Sequence, residues 1–119
     1  MPFLFRWGPA LAHAALIFWF SHQPDPPGAD VGPDYMLHFF GYVLFGILVG
    51  WGATDRLQEP LMGKALGVWW LAAAGYGLLD EFHQSFIPGR TASGQDWLAD
   101  AVGAFLGLAL VKGFQGVRR

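Results

Sequence analysis

Two pairs of polar residues in the second half of the chain have the spacing that chemistry would need. Asp80 and Gln84 stand four residues apart, as do Asp96 and Asp100, so each pair would lie on one face of a helix. Carboxylates held together in a partly desolvated pocket can act as an acid and a base side by side. The same groups could instead hold a hard divalent cation.

Further polar residues could complete such a pocket. Asp34 and His38 form an equivalent pair in the first half, and Glu81 lies beside Asp80. Arg90 is always charged and fork-shaped, which suits a phosphate or a carboxylate. The candidate ligand-binding residues are Asp34, His38, Asp80, Glu81, Gln84, Arg90, Asp96 and Asp100. A purely structural interpretation also fits, with Arg90 bridging Asp80 or Asp96 and both Asp34 and Asp96 capping helices. No catalytic residue, metal ligand or cofactor is assigned.

The composition predicts a chain surrounded by lipid. Charged residues make up 13% of the 119 residues and hydrophobic residues 54%, and the charges lie between long uncharged runs. A net charge of −2 without a basic run argues against a nucleic-acid partner. Since the chain has no cysteine, any metal site must use histidine and carboxylates.

Four apolar stretches, approximately residues 3–20, 35–53, 61–79 and 97–114, are long enough to cross a bilayer. Backbone groups in lipid must be satisfied internally, so each is expected to be a helix. The sequence therefore predicts a single domain, residues 1–119, folded as an all-α four-helix membrane bundle. His13, alone in the first stretch, is expected to make an interhelical hydrogen bond.

Lysine and arginine are unevenly distributed between the connecting segments, which predicts the orientation. Six of the seven lie at the start of the first stretch, between the second stretch and the first turn of the third, or from the end of the fourth stretch onward; Arg90 alone lies in the linker 80–96. By the positive-inside rule, both termini are cytoplasmic and the candidate pocket opens outward. The expected location is the inner (plasma) membrane of the cell.

The two outward linkers resemble each other. Residues 22–28 and 83–89 both read HQxxxPG, and each precedes D-x-x-x-[HD]-x-x-G, at 34–41 and 96–103. The pattern predicts a duplicated helical hairpin with a two-fold axis along the membrane normal. Glycines four residues apart, at 46 and 50, 63 and 67, and 103 and 107, are expected to bring helices close together.

The sequence resembles the VanZ-like family, named for teicoplanin resistance. The resemblance rests on residues 34–46 and above all on the DEFHQSFIPGRTASGQD run at 80–96, and it continues through Asp100, Gly103 and Gly107. It implies a membrane protein of the bacterial envelope, linked in some relatives to low-level glycopeptide resistance. Relatives usually carry asparagine at the position of Asp100, so this pocket has an additional carboxylate.

Three functions remain open from the sequence. The outward pocket could bind a polar lipid, a lipid-linked peptidoglycan precursor or a glycopeptide, which is the reading we favour. It could instead perform acid-base or metal-assisted chemistry on a lipid-linked head group. The chain could also be a non-catalytic structural partner of another membrane protein. Besides the lipid bilayer itself, no partner is fixed by the residues.

Overall fold

The chain forms four helices that pack as an all-α bundle. A computed structural model describes residues 2–26, 28, 30 and 32–118. Helix α1 spans Phe3–His22, α2 spans Asp34–Ala53, α3 spans Gly63–Gln84 and α4 spans Gly94–Arg118. At about 1.5 Å per residue, 20 to 25 residues give lengths of roughly 30 to 38 Å, enough to cross the hydrocarbon core of a bilayer.

Helices α3 and α4 extend beyond the apolar stretches that predicted them. α3 continues from the expected end at residue 79 to Gln84, and α4 begins at Gly94 rather than 97. Hydropathy detects where apolar residues stop, whereas a helical backbone continues through polar residues whose side chains find partners inside the bundle. These additional turns carry Asp80, Glu81 and Asp96. The helices therefore position these side chains, rather than the loops.

The bundle has an apolar exterior and several polar residues in its interior. Large hydrophobic side chains such as Leu4, Phe40, Leu71 and Phe105 are exposed, while nine polar or charged residues are buried among the described residues. Lipid favours this arrangement, because only the interior offers hydrogen-bond partners. Three helices, α1, α2 and α4, are long and apolar enough to span a membrane. α3 is not among these three; it combines glycine, tryptophan and tyrosine with polar last turns.

Helices α2 and α4 make the closest contact in the bundle. A Cβ at Gly46 would overlap the Ala104 carbonyl oxygen, and one at Gly107 would overlap the Val43 carbonyl oxygen. Small residues thus let the two backbones meet. This confirms the expectation for the glycine pairs at 46 and 50 and at 103 and 107. The expectation for Gly63 and Gly67 is wrong. An added Cβ at either position would meet nothing within 4 Å, so these two glycines do not pack helices.

Most of the basic residues lie at the end of the bundle that carries the α2–α3 loop. There, Arg6 Nε donates to the Gly52 carbonyl at 2.6 Å and Lys112 Nζ donates to the Leu61 carbonyl at 3.1 Å. Gln115 of α4 holds the same loop by accepting from Leu61 N at 3.1 Å. The polar candidates gather at the opposite end, where the other two linkers lie.

Candidate functional site

His38 lies at the centre of a cluster of carboxylates contributed by three helices. Its Nδ1 is hydrogen-bonded to Asp100 Oδ1 at 2.7 Å and lies 3.5 Å from Glu81 Oε1. Its Nε2 lies 3.5 Å from Asp34 Oδ2 and 3.9 Å from Asp96 Oδ2. Each nitrogen of the imidazole thus has two acidic groups near it, and only the Asp34 side chain is substantially exposed.

The start of α4 fixes two of these carboxylates. The Ser93 hydroxyl accepts a hydrogen bond from Asp96 N at 2.9 Å, which is the geometry of an N-terminal cap. Ser93 N in turn donates to Glu81 Oε2 at 2.9 Å, so the end of α3 is tied to the start of α4. An acidic residue in the first turn is also stabilised by the helix dipole. The expectation that Asp34 and Asp96 cap their helices is therefore wrong: Ser93 caps α4, and Pro33 precedes α2 without a side-chain cap, so both aspartates lie in the first turn and belong to the cluster.

Helix α1 closes the cluster on its remaining side. Ser21 is buried near the end of α1, where its Oγ accepts from Gln84 Nε2 at 3.2 Å. Arg90 Nη1 donates to the Phe20 and Gln23 carbonyls, both at 2.9 Å. These carbonyls belong to the last turn of α1 and to the residue that follows it, so Arg90 fastens that end of the helix to the α3–α4 linker.

Arg90 does not bridge a carboxylate. Among residues 2–26, 28, 30 and 32–118, every ion pair within 4.0 Å involves His38 and none involves Arg90. The expectation of an Arg90 bridge to Asp80 or Asp96 is therefore wrong. Only Nη1 is occupied by the two carbonyls. The guanidinium also lines a cavity, so its remaining N–H groups are placed near a ligand-sized space.

Several buried oxygens in this region have no hydrogen-bond partner among the described residues. They are Tyr42 OH, Glu81 Oε1, Gln84 Oε1 and Asp100 Oδ2. Buried polar atoms are nearly always paired, so four unpaired oxygens in one place need an explanation. The Gln84 oxygen can only accept, and the oxygens of Glu81 and Asp100 do so when ionised, so a donor or a cation beside them would satisfy them.

A cavity of about 240 Å³ lies next to the cluster, between α1, α2 and the end of α3. One wall is apolar and includes Leu16, Ile17, Phe20 and Leu37. The polar end is lined by Ser21, Asp34, His38, Tyr42, Asp80, Gln84 and Arg90. The cavity therefore joins an apolar wall to hydrogen-bonding groups of both charges.

The candidate residues converge around this cluster and cavity. Asp34, His38, Asp80, Gln84 and Arg90 line the cavity, and Glu81, Asp96 and Asp100 lie behind His38. Two groups of three could each hold a metal ion, Asp34 with His38 and Asp96, and His38 with Asp80 and Asp100. The candidate residues therefore lie close enough together to act on one ligand, and their function remains a prediction.

Sequence reasoning placed His13 correctly and left out three residues of the site. His13 Nε2 donates to the Gly41 carbonyl at 2.8 Å, which confirms an interhelical hydrogen bond. The missed residues are Ser21, Gly77 and Ser93. Ser93 stands three residues before Asp96, a spacing that marks a helix start and could have identified it. No sequence signal indicated that Gly77 would face Asp100.

A family model described as VanZ/LLP1 matches residues 33–115, which is 83 of the 119 residues. The matched segment begins one residue before α2 and ends inside α4, so it contains every candidate residue. No curated protein and no solved structure matches the chain.

Proposed function

This chain belongs to the VanZ/LLP1 family of membrane proteins, and we propose that its cavity binds the head group of a lipid-linked component of the cell envelope. The observation that carries the proposal is the continuity between the apolar wall and the polar end of one cavity. A lipid with a polar head has the same division. Leu16 and Phe20 suit a hydrocarbon chain, while Arg90 and Asp34 suit the head group.

The volume of the cavity sets the size of its ligand. Sites for drug-sized molecules occupy about 300 to 1,000 Å³, and this cavity has about 240 Å³. A head group with the first part of its chain fits that space, whereas a whole glycopeptide does not. A polar lipid or a lipid-linked peptidoglycan precursor is therefore favoured over direct capture of a glycopeptide.

The charges define the chemistry of the head group. Arg90 offers free N–H groups to a phosphate, and Asp34 and Asp80 offer acceptors to hydroxyl or ammonium groups. The carboxylates would repel a phosphate that carried no hydrogen-bond donors. A head group whose other groups donate to the carboxylates would not be repelled in this way. We therefore expect a head group that combines a phosphate with hydroxyl or ammonium donors. The Lys and Arg distribution supports an opening toward the outer face.

Filling the cavity tests the proposal. Gly41 lines the cavity, and a Cβ there would meet nothing within 4 Å. Gly41→Leu should therefore occupy ligand space without displacing a packed neighbour. Gly75→Leu is the matched control, because Gly75 is equally open but faces outward from α3. Native mass spectrometry of the purified proteins would measure binding of three separate probes, a polyprenyl phosphate, phosphatidylethanolamine and phosphatidylglycerol.

We expect Gly41→Leu to weaken binding of at least one probe by tenfold or more, with Gly75→Leu within about twofold of the unmodified protein. Equal binding by all three proteins would reject the cavity as the ligand site. Binding of a soluble glycopeptide that survives Gly41→Leu would also contradict the proposal. If the unmodified protein binds none of the three probes, the result would instead favour a structural partner of another membrane protein.

A second candidate is an enzyme that uses this pocket. It is favoured by the 2.7 Å contact between His38 and Asp100, since a carboxylate that orients an imidazole is a recurring arrangement in acid-base catalysis. Conversion of a bound lipid probe by the unmodified protein, lost in His38→Gln with binding retained, would support the enzyme. Unchanged probe after prolonged incubation would support binding alone.

A further inference from the structure

Three buried residues from three helices have donor atoms close enough to share one ion. His38 of α2, Asp80 of α3 and Asp100 of α4 each offer one ligand atom, and these atoms all lie within 4.8 Å of one another. We propose that His38, Asp80 and Asp100 form a binding site for a divalent metal ion. The proposal stands apart from lipid binding, because an ion can bind here whether or not a lipid occupies the cavity.

The charge of the cluster favours a cation. Asp80, Glu81 and Asp100 are 6%, 5% and 0% exposed, and His38 is the one positive partner that the described residues place within ion-pair distance of a carboxylate. When ionised, these three carboxylates carry −3, and an imidazole that binds an ion through Nδ1 is neutral. Uncompensated charge inside a membrane protein is costly. A divalent ion would lower the total charge to −3 + 2 = −1 and would take the place of the proton between His38 Nδ1 and Asp100 Oδ1.

Unpaired oxygens point independently to the same place. Asp100 Oδ2 has no hydrogen-bond partner although Asp100 is fully buried, and Glu81 Oε1 has none although it lies 3.5 Å from His38 Nδ1. Gln84 Oε1, on a residue of the same last turns of α3 as Glu81 and 1% exposed, is also unpaired. When both carboxyl groups are ionised, none of these oxygens can donate to another. A metal ion at the site would satisfy Asp100 Oδ2 directly, and its bound water could donate to neighbouring oxygens.

The surroundings of the site are compatible with an ion. Gly77 faces Asp100, and a Cβ there would lie 2.9 Å from Oδ2, so the glycine leaves this oxygen unobstructed. With Nδ1 of His38 bound to the ion, the ring carries its proton on Nε2. That nitrogen faces Asp34 and Asp96 at 3.5 and 3.9 Å. Metal-bound histidines usually donate their other N–H to a carboxylate, and these two carboxylates are the nearest candidates to receive it.

The donor set selects a class of ion. One imidazole nitrogen with carboxylate oxygens suits a first-row transition ion such as Mn²⁺ or Zn²⁺. Ca²⁺ prefers six to eight oxygens, and Mg²⁺ retains most of its water. The second group, Asp34 with His38 and Asp96, shares the imidazole but lies at the exposed mouth. We place the ion in the inner group because its oxygens are buried and unpaired.

Direct metal binding tests the proposal. The full chain is purified in detergent, stripped with EDTA and titrated with MnCl₂ without added lipid, so that failure of lipid binding leaves the outcome unaffected. We expect one Mn²⁺ per chain, with nitrogen coupling from an imidazole in pulsed electron paramagnetic resonance spectra. Asp80→Asn should weaken the affinity at least tenfold. Asp25→Asn, at an exposed position in the α1–α2 linker that belongs to neither group, is the control and should remain within about threefold of the unmodified protein.

Folding is followed separately by helix content and by thermal unfolding. Mn²⁺ should raise the midpoint of the unmodified protein and of Asp25→Asn, since an ion that binds only the folded state stabilises it. If Asp80→Asn does not fold, the nitrogen coupling in the unmodified protein and its loss in His38→Gln decide the question. Absence of stoichiometric Mn²⁺ and Zn²⁺ binding would overturn the proposal, as would loss of binding in Asp34→Asn with retention in Asp80→Asn.

Discussion

His38 Nδ1 contacts Asp100 Oδ1 at 2.7 Å, and the two residues occupy equivalent positions in the repeated pattern D-x-x-x-[HD]-x-x-G. The residues that open the two patterns, Asp34 and Asp96, both lie beside the opposite nitrogen of the same imidazole. Equivalent residues that meet each other are what a two-fold axis between α2 and α4 produces. The duplicated hairpin remains a prediction, and this pairing gives it a direct test.

Exchanging the two residues should restore what either single change removes. His38→Asp adds a carboxylate to an acidic cluster. Asp100→His places a second imidazole beside His38 and removes the carboxylate that His38 contacts. We expect both single variants to be destabilised, and the double variant His38→Asp/Asp100→His to recover at least 1 kcal/mol, about the lower range of coupling between contacting residues. Thermal unfolding in detergent measures this. A double variant no more stable than the worse single variant would show that the positions are not equivalent.

Topology can be tested cleanly because the chain has no cysteine. Gln58→Cys in the α2–α3 loop should be protected from a membrane-impermeant maleimide in intact cells, whereas Thr91→Cys in the α3–α4 linker should be labelled. Both positions are exposed, so both should react after lysis. Labelling of Gln58→Cys alone in intact cells would reverse the orientation and turn the cavity toward the cytoplasm.

The α2–α4 contact should tolerate no additional methyl group at its centre. Gly107→Ala would drive a Cβ into the Val43 carbonyl, and overpacking of this kind costs about 1 to 3 kcal/mol. Gly113→Ala on the same helix meets nothing within 4 Å and should be neutral or stabilising by up to about 1 kcal/mol. Unfolding midpoints of the two variants compare them. Similar midpoints would mean that the helices can separate at little cost.

Arg90 should contribute to stability as well as to ligand binding. Arg90→Gln removes the donor that holds the Phe20 and Gln23 carbonyls, and we expect a loss of about 1 to 2 kcal/mol. Arg90→Lys should recover only part of it, because an ammonium lacks the fork. Arg118→Gln, at the exposed end of α4, serves as the control and should leave the unfolding midpoint unchanged. A fully stable Arg90→Gln would assign Arg90 to the ligand alone.

The sequence alone determined the class of fold and the end of the bundle where function is sought. Long uncharged runs specify helices in lipid, because each residue's transfer free energy and each backbone hydrogen bond act locally along the chain. Local spacing also placed Asp34 with His38, and Asp96 with Asp100, on shared helix faces. The same information located His13 as an interhelical donor, since a lone polar group in an apolar helix needs a partner.

Only the tertiary structure decided which of these groups meet. Helix rotation and crossing are fixed by packing of whole faces, and here the glycines of α2 and α4 set how deeply Asp100 is buried against His38. The same packing directed Arg90 to the end of α1 rather than to a carboxylate, and it left Gly63 in open space. These outcomes depend on contacts between residues about 60 positions apart, which spacing along one helix does not encode.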